Sequence, residues 1–206
     1  MYRAAGDLVA FDFSVLKKKD IAKKAISILL EKGFLLVGVD LSDIAGNWVG
    51  SNVKYRRGAK TREAPNVVDC SSFVKWLYEL KGIWIPRRSI QQRLFGIKVY
   101  AGDSLLPGDL LLKTGAINCF NKDPGDGIGH VGIYTDRDTV IHAVDETPAI
   151  VETPLSRFME ENGHFREARR IVKNPDQTIT LRIPPSLEIE TSDDIKWLIL
   201  SSLGKD

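Results

Sequence analysis

The stretch Gly129-His130-Val131-Gly132-Ile133-Tyr134, followed after five residues by Val140-Ile141-His142-Ala143, reads as a β-hairpin. Both halves are rich in β-branched residues, and Thr135-Asp136-Arg137-Asp138-Thr139 supplies the turn between them. Strand side chains alternate, so pairing Tyr134 with Val140 sets Gly132 opposite His142 and His130 opposite Val144. His130, Gly132, Tyr134, Val140, His142 and Val144 then share one face; Val131, Ile133, Ile141 and Ala143 take the other. The two histidines become a diagonal pair with backbones about 7–8 Å apart, which two imidazoles can span. Gly132 leaves room between the rings. A register slip of one residue would put them on opposite faces. The third histidine, His164, follows the polar run Glu160-Glu161-Asn162-Gly163 and reads as surface.

Upstream, Val68-Asp69-Cys70-Ser71-Ser72-Phe73-Val74 opens an amphipathic helix. Apolar residues fall at Phe73, Val74, Leu77, Tyr78 and Leu80, a helical period that Gly82 and Pro86 end. Asp69 and Ser71 are good capping residues. Cys70 sits in the first turn, where free backbone N–H groups and the helix dipole favour negative charge. A thiolate there is expected to have a lowered pKa. The alternative is a buried, inert cysteine, the common fate of a lone Cys on an apolar helix. The histidine pair weighs against it, because nucleophile, base and an orienter for the base are what covalent cysteine catalysis requires.

Composition narrows the rest. The chain has 206 residues, 43% of them hydrophobic, enough for one good core with appendages. Its formal net charge is +2 and the basic residues form no long runs, which gives no case for nucleic acid. Two cysteines in different contexts argue against a disulfide framework, and no apolar stretch reaches the roughly 18 residues of a membrane span. Cys70, His130 and His142 are residue types that bind zinc, but a closed site usually takes four ligands at short paired spacings and none occur here. No metal or cofactor is expected. In the flanks, Ile21 to Leu30 reads as an amphipathic helix ended by Gly33, and Leu41 to Val49 as a short helix. Thr178 to Ile183 alternates as a strand, and Ser192-Asp193 caps a last helix from Ile195 to Leu203.

These residues resemble the NlpC-type cysteine peptidases, relatives of papain that cut bacterial cell-wall peptides. Tyr55-Arg56-Arg57-Gly58 is similar to the family's Tyr-x-x-Gly segment. Pro107-Gly108-Asp109-Leu110-Leu111 resembles its Pro-Gly-Asp-Leu segment at the start of a strand. Pro86-Arg87-Arg88-Ser89 with Gln91-Gln92 resembles the part after the cysteine helix, and Phe165-Arg166-Glu167-Ala168-Arg169-Arg170 its last strand. The likeness runs from about Leu41 to Val172. Ser72 stands where a glycine usually follows Asp-Cys-Ser, and Ala59 replaces the second glycine after Tyr55. Thr114 to Gly129 is a longer Gly- and Asn-rich insertion carrying Cys119, for which no partner is identified.

The resemblance implies an α+β fold with a papain-like catalytic core, the cysteine helix packed on an antiparallel sheet that carries the histidines. It implies three parts: an N-terminal helical extension (1–40), the peptidase domain (41–172) and a C-terminal strand-helix appendage (173–206). The expected catalytic residues are Cys70 as nucleophile, His130 as base, His142 as orienter and Tyr55 beside the oxyanion; Asp69, Ser71 and Arg56 are the expected substrate contacts. The family cuts the bond between γ-D-glutamate and a diamino acid, usually diaminopimelate, in peptidoglycan stem peptides, so such peptides are the expected partner. An amidase or acyltransferase with the same triad, and a binding module, stand as alternatives. The family's usual location is the envelope or outside the cell; Met1 to Val15 carries Asp7 and Asp12 in its apolar stretch and reads as no signal peptide, which leaves the cytoplasm open.

Overall fold

Alternating, β-branched segments lay down eleven strands, and 3.6-period segments six helices, among the residues described by a computed structural model: 1–17, 19–115, 127–160 and 163–204. In chain order they are β1 (Leu8–Asp12), α1 (Lys19–Glu31), β2 (Leu35–Val37), α2 (Leu41–Gly46), β3 (Lys54–Tyr55), β4 (Val67–Val68), α3 (Cys70–Leu80), α4 (Ser89–Gln92) and β5 (Ile97–Val99). There follow β6 (Leu110–Thr114), β7 (Ile128–Tyr134), β8 (Thr139–Ala143), β9 (Ile150–Pro154), α5 (Leu155–Glu160), β10 (Phe165–Arg170), β11 (Thr178–Arg182) and α6 (Ser192–Leu203). Cys119 and most of the insertion between Thr114 and Gly129 lie outside the described residues. The fold is α+β: every ladder of the two larger sheets is antiparallel, and only the short β3–β4 pair is parallel.

The chain forms two compact units. One holds residues 40–77 and 85–173; the other gathers 1–39, 78–84 and 174–206. In the first, six strands run in the order β5-β10-β6-β7-β8-β9. The hairpin takes the register set by its alternation, Tyr134 against Val140 and Ile133 against Ile141. Lys113 on β6 lies opposite His130, and on β9 Thr153 lies opposite Val140 and Val151 opposite His142. Lys113, His130, His142 and Thr153 therefore belong to one face of four adjacent strands. Phe158 from α5 is buried on that face in a cluster with Leu111, Val140 and Ala168. The helix α3 spans the expected residues and buries Phe73, Val74, Leu77 and Tyr78 completely.

The second unit pairs β1, β11 and β2 in that order. Its core joins Val9, Phe11 and Leu181 of the sheet to Leu29 of α1 and Ile195 and Ile199 of α6. The cap of α6 is Thr191, one residue before the expected Ser192. Its hydroxyl accepts from the Asp193 N–H while the Asp194 carboxylate accepts from the Thr191 N–H, whereas the Ser192 hydroxyl accepts from the Tyr2 N–H. Gly82, which ends the cysteine helix, has φ +75°, and a Cβ there would stand 2.7 Å from the Val9 backbone. Only glycine fits both demands.

Gly132 is a second close approach. A Cβ would come within 2.5 Å of Val140 Cγ1 and 3.1 Å of His142 Cβ. Overpacking of this kind costs about 1–3 kcal/mol. Gly132→Ala is expected to lower the urea midpoint accordingly and to displace His142, seen as shifted imidazole resonances.

Candidate active site

Cys70 is held by the start of α3. The Asp69 carboxylate accepts from the Ser72 N–H at 2.8 Å, and the Ser72 hydroxyl accepts from the Asp69 N–H at 2.8 Å. This reciprocal cap fixes the first turn and explains serine at 72: its side chain is fully buried in the cap. Asp69 also accepts from Gly58 N–H, from the Ser71 hydroxyl and from Arg87 Nη2 at 2.5 Å. Burial would raise its pKa, but the Arg87 hydrogen bond and charge, with the Ser72 and Gly58 N–H groups, hold it below the ordinary carboxylate value. Arg87 donates further to the Ser71 hydroxyl and, from Nε and Nη2, to the carbonyl of the buried Ala59. The glycine departures at 59 and 72 thus fall on structural positions outside the lining of the cleft.

The cleft itself has a volume of about 790 Å³ and contains Cys70, Tyr55, His130 and His142 among its walls. The Cys70 thiol points at the Gly129 carbonyl, 3.9 Å away, at the start of the histidine strand. His130 Nε2 and His142 Nδ1 are 3.0 Å apart, and His142 Nε2 is 2.9 Å from Thr153 Oγ1. Phe158 caps both rings, with centroids 5.9 Å from His130 and 5.0 Å from His142. Lys113 Nζ donates to the Phe158 carbonyl at 2.9 Å and lies 4.3 Å from the centre of its ring.

Electrostatics here differs from the expectation of a thiolate. Burial, then the Asp69 charge, push the Cys70 thiol up to about 11; N–H groups of Val131 and Ser71 oppose this without reversing it. Burial and the Lys113 ammonium push His130 down to about 3, and burial, His130 and Lys113 push His142 down to about 2. Desolvation outweighs the helix terminus, so the resting groups are a thiol and two neutral imidazoles. Tyr55 is raised to about 12, chiefly by burial and then by Cys70 and Asp69, and its hydroxyl keeps its proton.

The other expected residues divide. Asp69, Ser71 and Tyr55 line the cleft. Arg56 does not: its guanidinium turns to Glu63, and its side chain is 54% exposed. Arg57, the next residue, lines the cleft in its place. Arg88, Asp145 and Glu146 also line it. His164 is exposed. Sequence reasoning missed Thr153, Phe158 and Lys113; a β-branched run at Ile150-Val151-Glu152-Thr153 was the available signal for a strand beside the second histidine. Among the described residues no group of three His, Cys, Asp or Glu side chains is placed to hold a metal, and no helix is long and apolar enough to cross a membrane.

A buried thiol and two hydrogen-bonded imidazoles thus share one cleft on a papain-like α+β frame. The chain belongs to the NlpC/P60 family, whose model matches residues 52–166. A probable endopeptidase of Corynebacterium glutamicum is 35% identical over 133 residues, 65% of this chain and 53% of that protein. The chain thus spans about half the length of this curated relative. An NlpC/P60 family protein of Bacillus cereus superposes with a TM-score of 0.52 at 22% identity, covering 67% of this chain and 41% of the other. A protein of Staphylococcus aureus described as similar to lipoprotein, NLP/P60 family, superposes with a TM-score of 0.51 at 27% identity, covering 66% and 41%.

The neutral imidazoles carry a stability signature. Their folded pKa values are depressed, so their contribution is fully present above about pH 6.5 and is lost as pH falls toward the folded values, where the unfolded chain binds more protons. Each histidine adds a slope of up to about 1.4 kcal/mol per pH unit in that window. Urea unfolding at pH 7 and pH 5 is expected to show this loss in the parent chain and a much flatter response in a His130→Gln, His142→Gln double variant.

Proposed function

We propose that the chain is a cysteine peptidase that hydrolyses γ-D-glutamyl–diamino acid amide bonds in peptidoglycan stem peptides. The observation that carries this reading is a buried cysteine in one cleft with a histidine whose outer nitrogen is held 3.0 Å from a second histidine. Kinship with proteins named probable endopeptidases supports the reaction type. The mixed lining of the cleft suits the substrate: Arg57 and Arg88 for the carboxylates of glutamate and diaminopimelate, Asp145 and Glu146 for an amine.

The reaction begins from neutral partners. Cys70 Sγ bonds to the amide carbon as its proton passes to His130 Nδ1, leaving a tetrahedral oxyanion. The Cys70 N–H at the helix terminus and the Tyr55 hydroxyl, kept protonated by its raised pKa, stabilise that charge. The carbon–nitrogen bond breaks, the His130 proton goes to the departing amine, and an acyl thioester remains. Water then attacks the thioester carbon, giving a proton to His130, which returns it to the sulfur. His142 accepts the His130 Nε2–H throughout and spreads the positive charge.

Digestion of a γ-D-glutamyl-diaminopimelyl peptide followed by mass spectrometry tests the assignment. Cys70→Ala and His130→Ala are expected to lose about a thousand-fold or more in rate, and His142→Ala less, since an orienter is more replaceable than the base. Equal cleavage by Cys70→Ala would refute the peptidase reading. Product analysis with an added amine acceptor separates hydrolysis from acyl transfer.

A further inference from the structure

We infer that Thr153 is a positioning residue, the terminal acceptor of a proton-ordered chain that runs from sulfur through His130 and His142. The inference rests on the thiol-imidazole reading above but uses a different observation. His142 has both ring nitrogens engaged: Nδ1 lies 3.0 Å from His130 Nε2 and Nε2 lies 2.9 Å from Thr153 Oγ1. The three side chains step across three neighbouring strands on one face. Thr153 pairs with Val140 and so stands one diagonal from His142, as His142 stands one diagonal from His130.

Proton counting gives the chain a direction. When His130 takes the thiol proton on Nδ1 it becomes an imidazolium, and both of its nitrogens are donors. Its Nε2–H must then be accepted by His142 Nδ1, which needs a lone pair there. A neutral imidazole with a bare Nδ1 carries its proton on Nε2. That Nε2–H needs an acceptor in turn, and the oxygen within reach is the Thr153 hydroxyl. Phe158 meets the same ring edge to face, its centroid 5.0 Å away, so an unaccepted N–H there would bear the cost of desolvation. In the reverse order, with Thr153 donating to His142 Nε2, His142 would donate to His130 Nε2 and the base would already hold a proton on Nδ1, the nitrogen that takes the thiol proton in the proposed reaction. With the hydroxyl as acceptor, both rings hold the tautomers that the proton transfer needs. Val151, opposite His142 on the same strand, offers no polar atom for this purpose.

Thr153→Val preserves the β-branched shape and deletes the oxygen; Thr153→Ser keeps the oxygen and deletes the methyl. Alkylation of Cys70 by iodoacetamide needs the same proton transfer without any peptide substrate. Its rate is expected to fall about ten-fold in Thr153→Val and to stay near the parent value in Thr153→Ser. Thr153→Ala gives the same fall should the valine variant not fold. Imidazole nitrogen-15 shifts are expected to show the parent His142 protonated on Nε2, and the valine variant with that tautomer depleted. An unchanged alkylation rate in the valine and alanine variants, or a parent His142 protonated on Nδ1, overturns the inference. A parent protein that alkylates normally, yet leaves γ-D-glutamyl-diaminopimelyl peptide intact, refutes the proposed substrate and leaves the Thr153 assignment standing.

Discussion

The hydrogen bond between His130 and His142 is the constraint on which the site depends, and it exists because one hairpin keeps one register. Two residues twelve apart in sequence meet here because Tyr134 faces Val140, which makes them a diagonal pair. Packing supports this register: Val131, Ile133, Ile141 and Ala143 are all buried on one face, and a one-residue slip would exchange them with the histidine face and separate the rings. Gly132 completes the arrangement by occupying no volume where Val140 and His142 approach. Geometry for chemistry and packing for stability are thus specified by the same pattern.

Charge is managed in two opposite ways within a few residues. Asp69 is buried and ionised because an arginine and several N–H groups surround it. Cys70 and the histidines are buried and uncharged because their neighbours are the protein interior, a carboxylate on the thiol side and an ammonium on the imidazole side. A carboxylate beside the sulfur and Lys113 beside the rings both oppose an ion pair at rest. In the proposed reaction the charge separates only as the thiol is deprotonated, and the second imidazole is placed to share it.

Much of this was legible in the sequence, for physical reasons. Period-two alternation gave the hairpin and its shared face, and period 3.6 gave the cysteine helix to its last residue. Asp69 was readable as a cap because short acceptors favour that position. What escaped depends on neighbours distant in sequence. The thiol was expected to ionise at a helix start, but desolvation, a property of the folded surroundings, is larger. Lys113 reads as a surface residue by type and is only 5% exposed, because β6 is an interior strand and Phe158 supplies a carbonyl and a ring. Arg56 and Arg57 are indistinguishable by composition, yet Arg56 pairs with Glu63 while Arg57 lines the cleft. Strand β9 sits beside β8 by a connection that sequence spacing does not reveal, and Thr153 came with it.

The segment from Tyr78 to Trp84 finishes the helix that begins at Cys70, yet it is grouped with the two ends of the chain. There the Gly82 carbonyl accepts from Ala10 N–H, the Lys81 carbonyl from the Thr180 hydroxyl, and the Arg3 carbonyl from Trp84 N–H. Shearing off both termini would leave this segment bereft of those partners and uncover the backbone that glycine was chosen to fit. The end of α3 and the turn after it are therefore braced by both arms of the chain, so trimming either arm is felt at the far end of the helix that starts at Cys70.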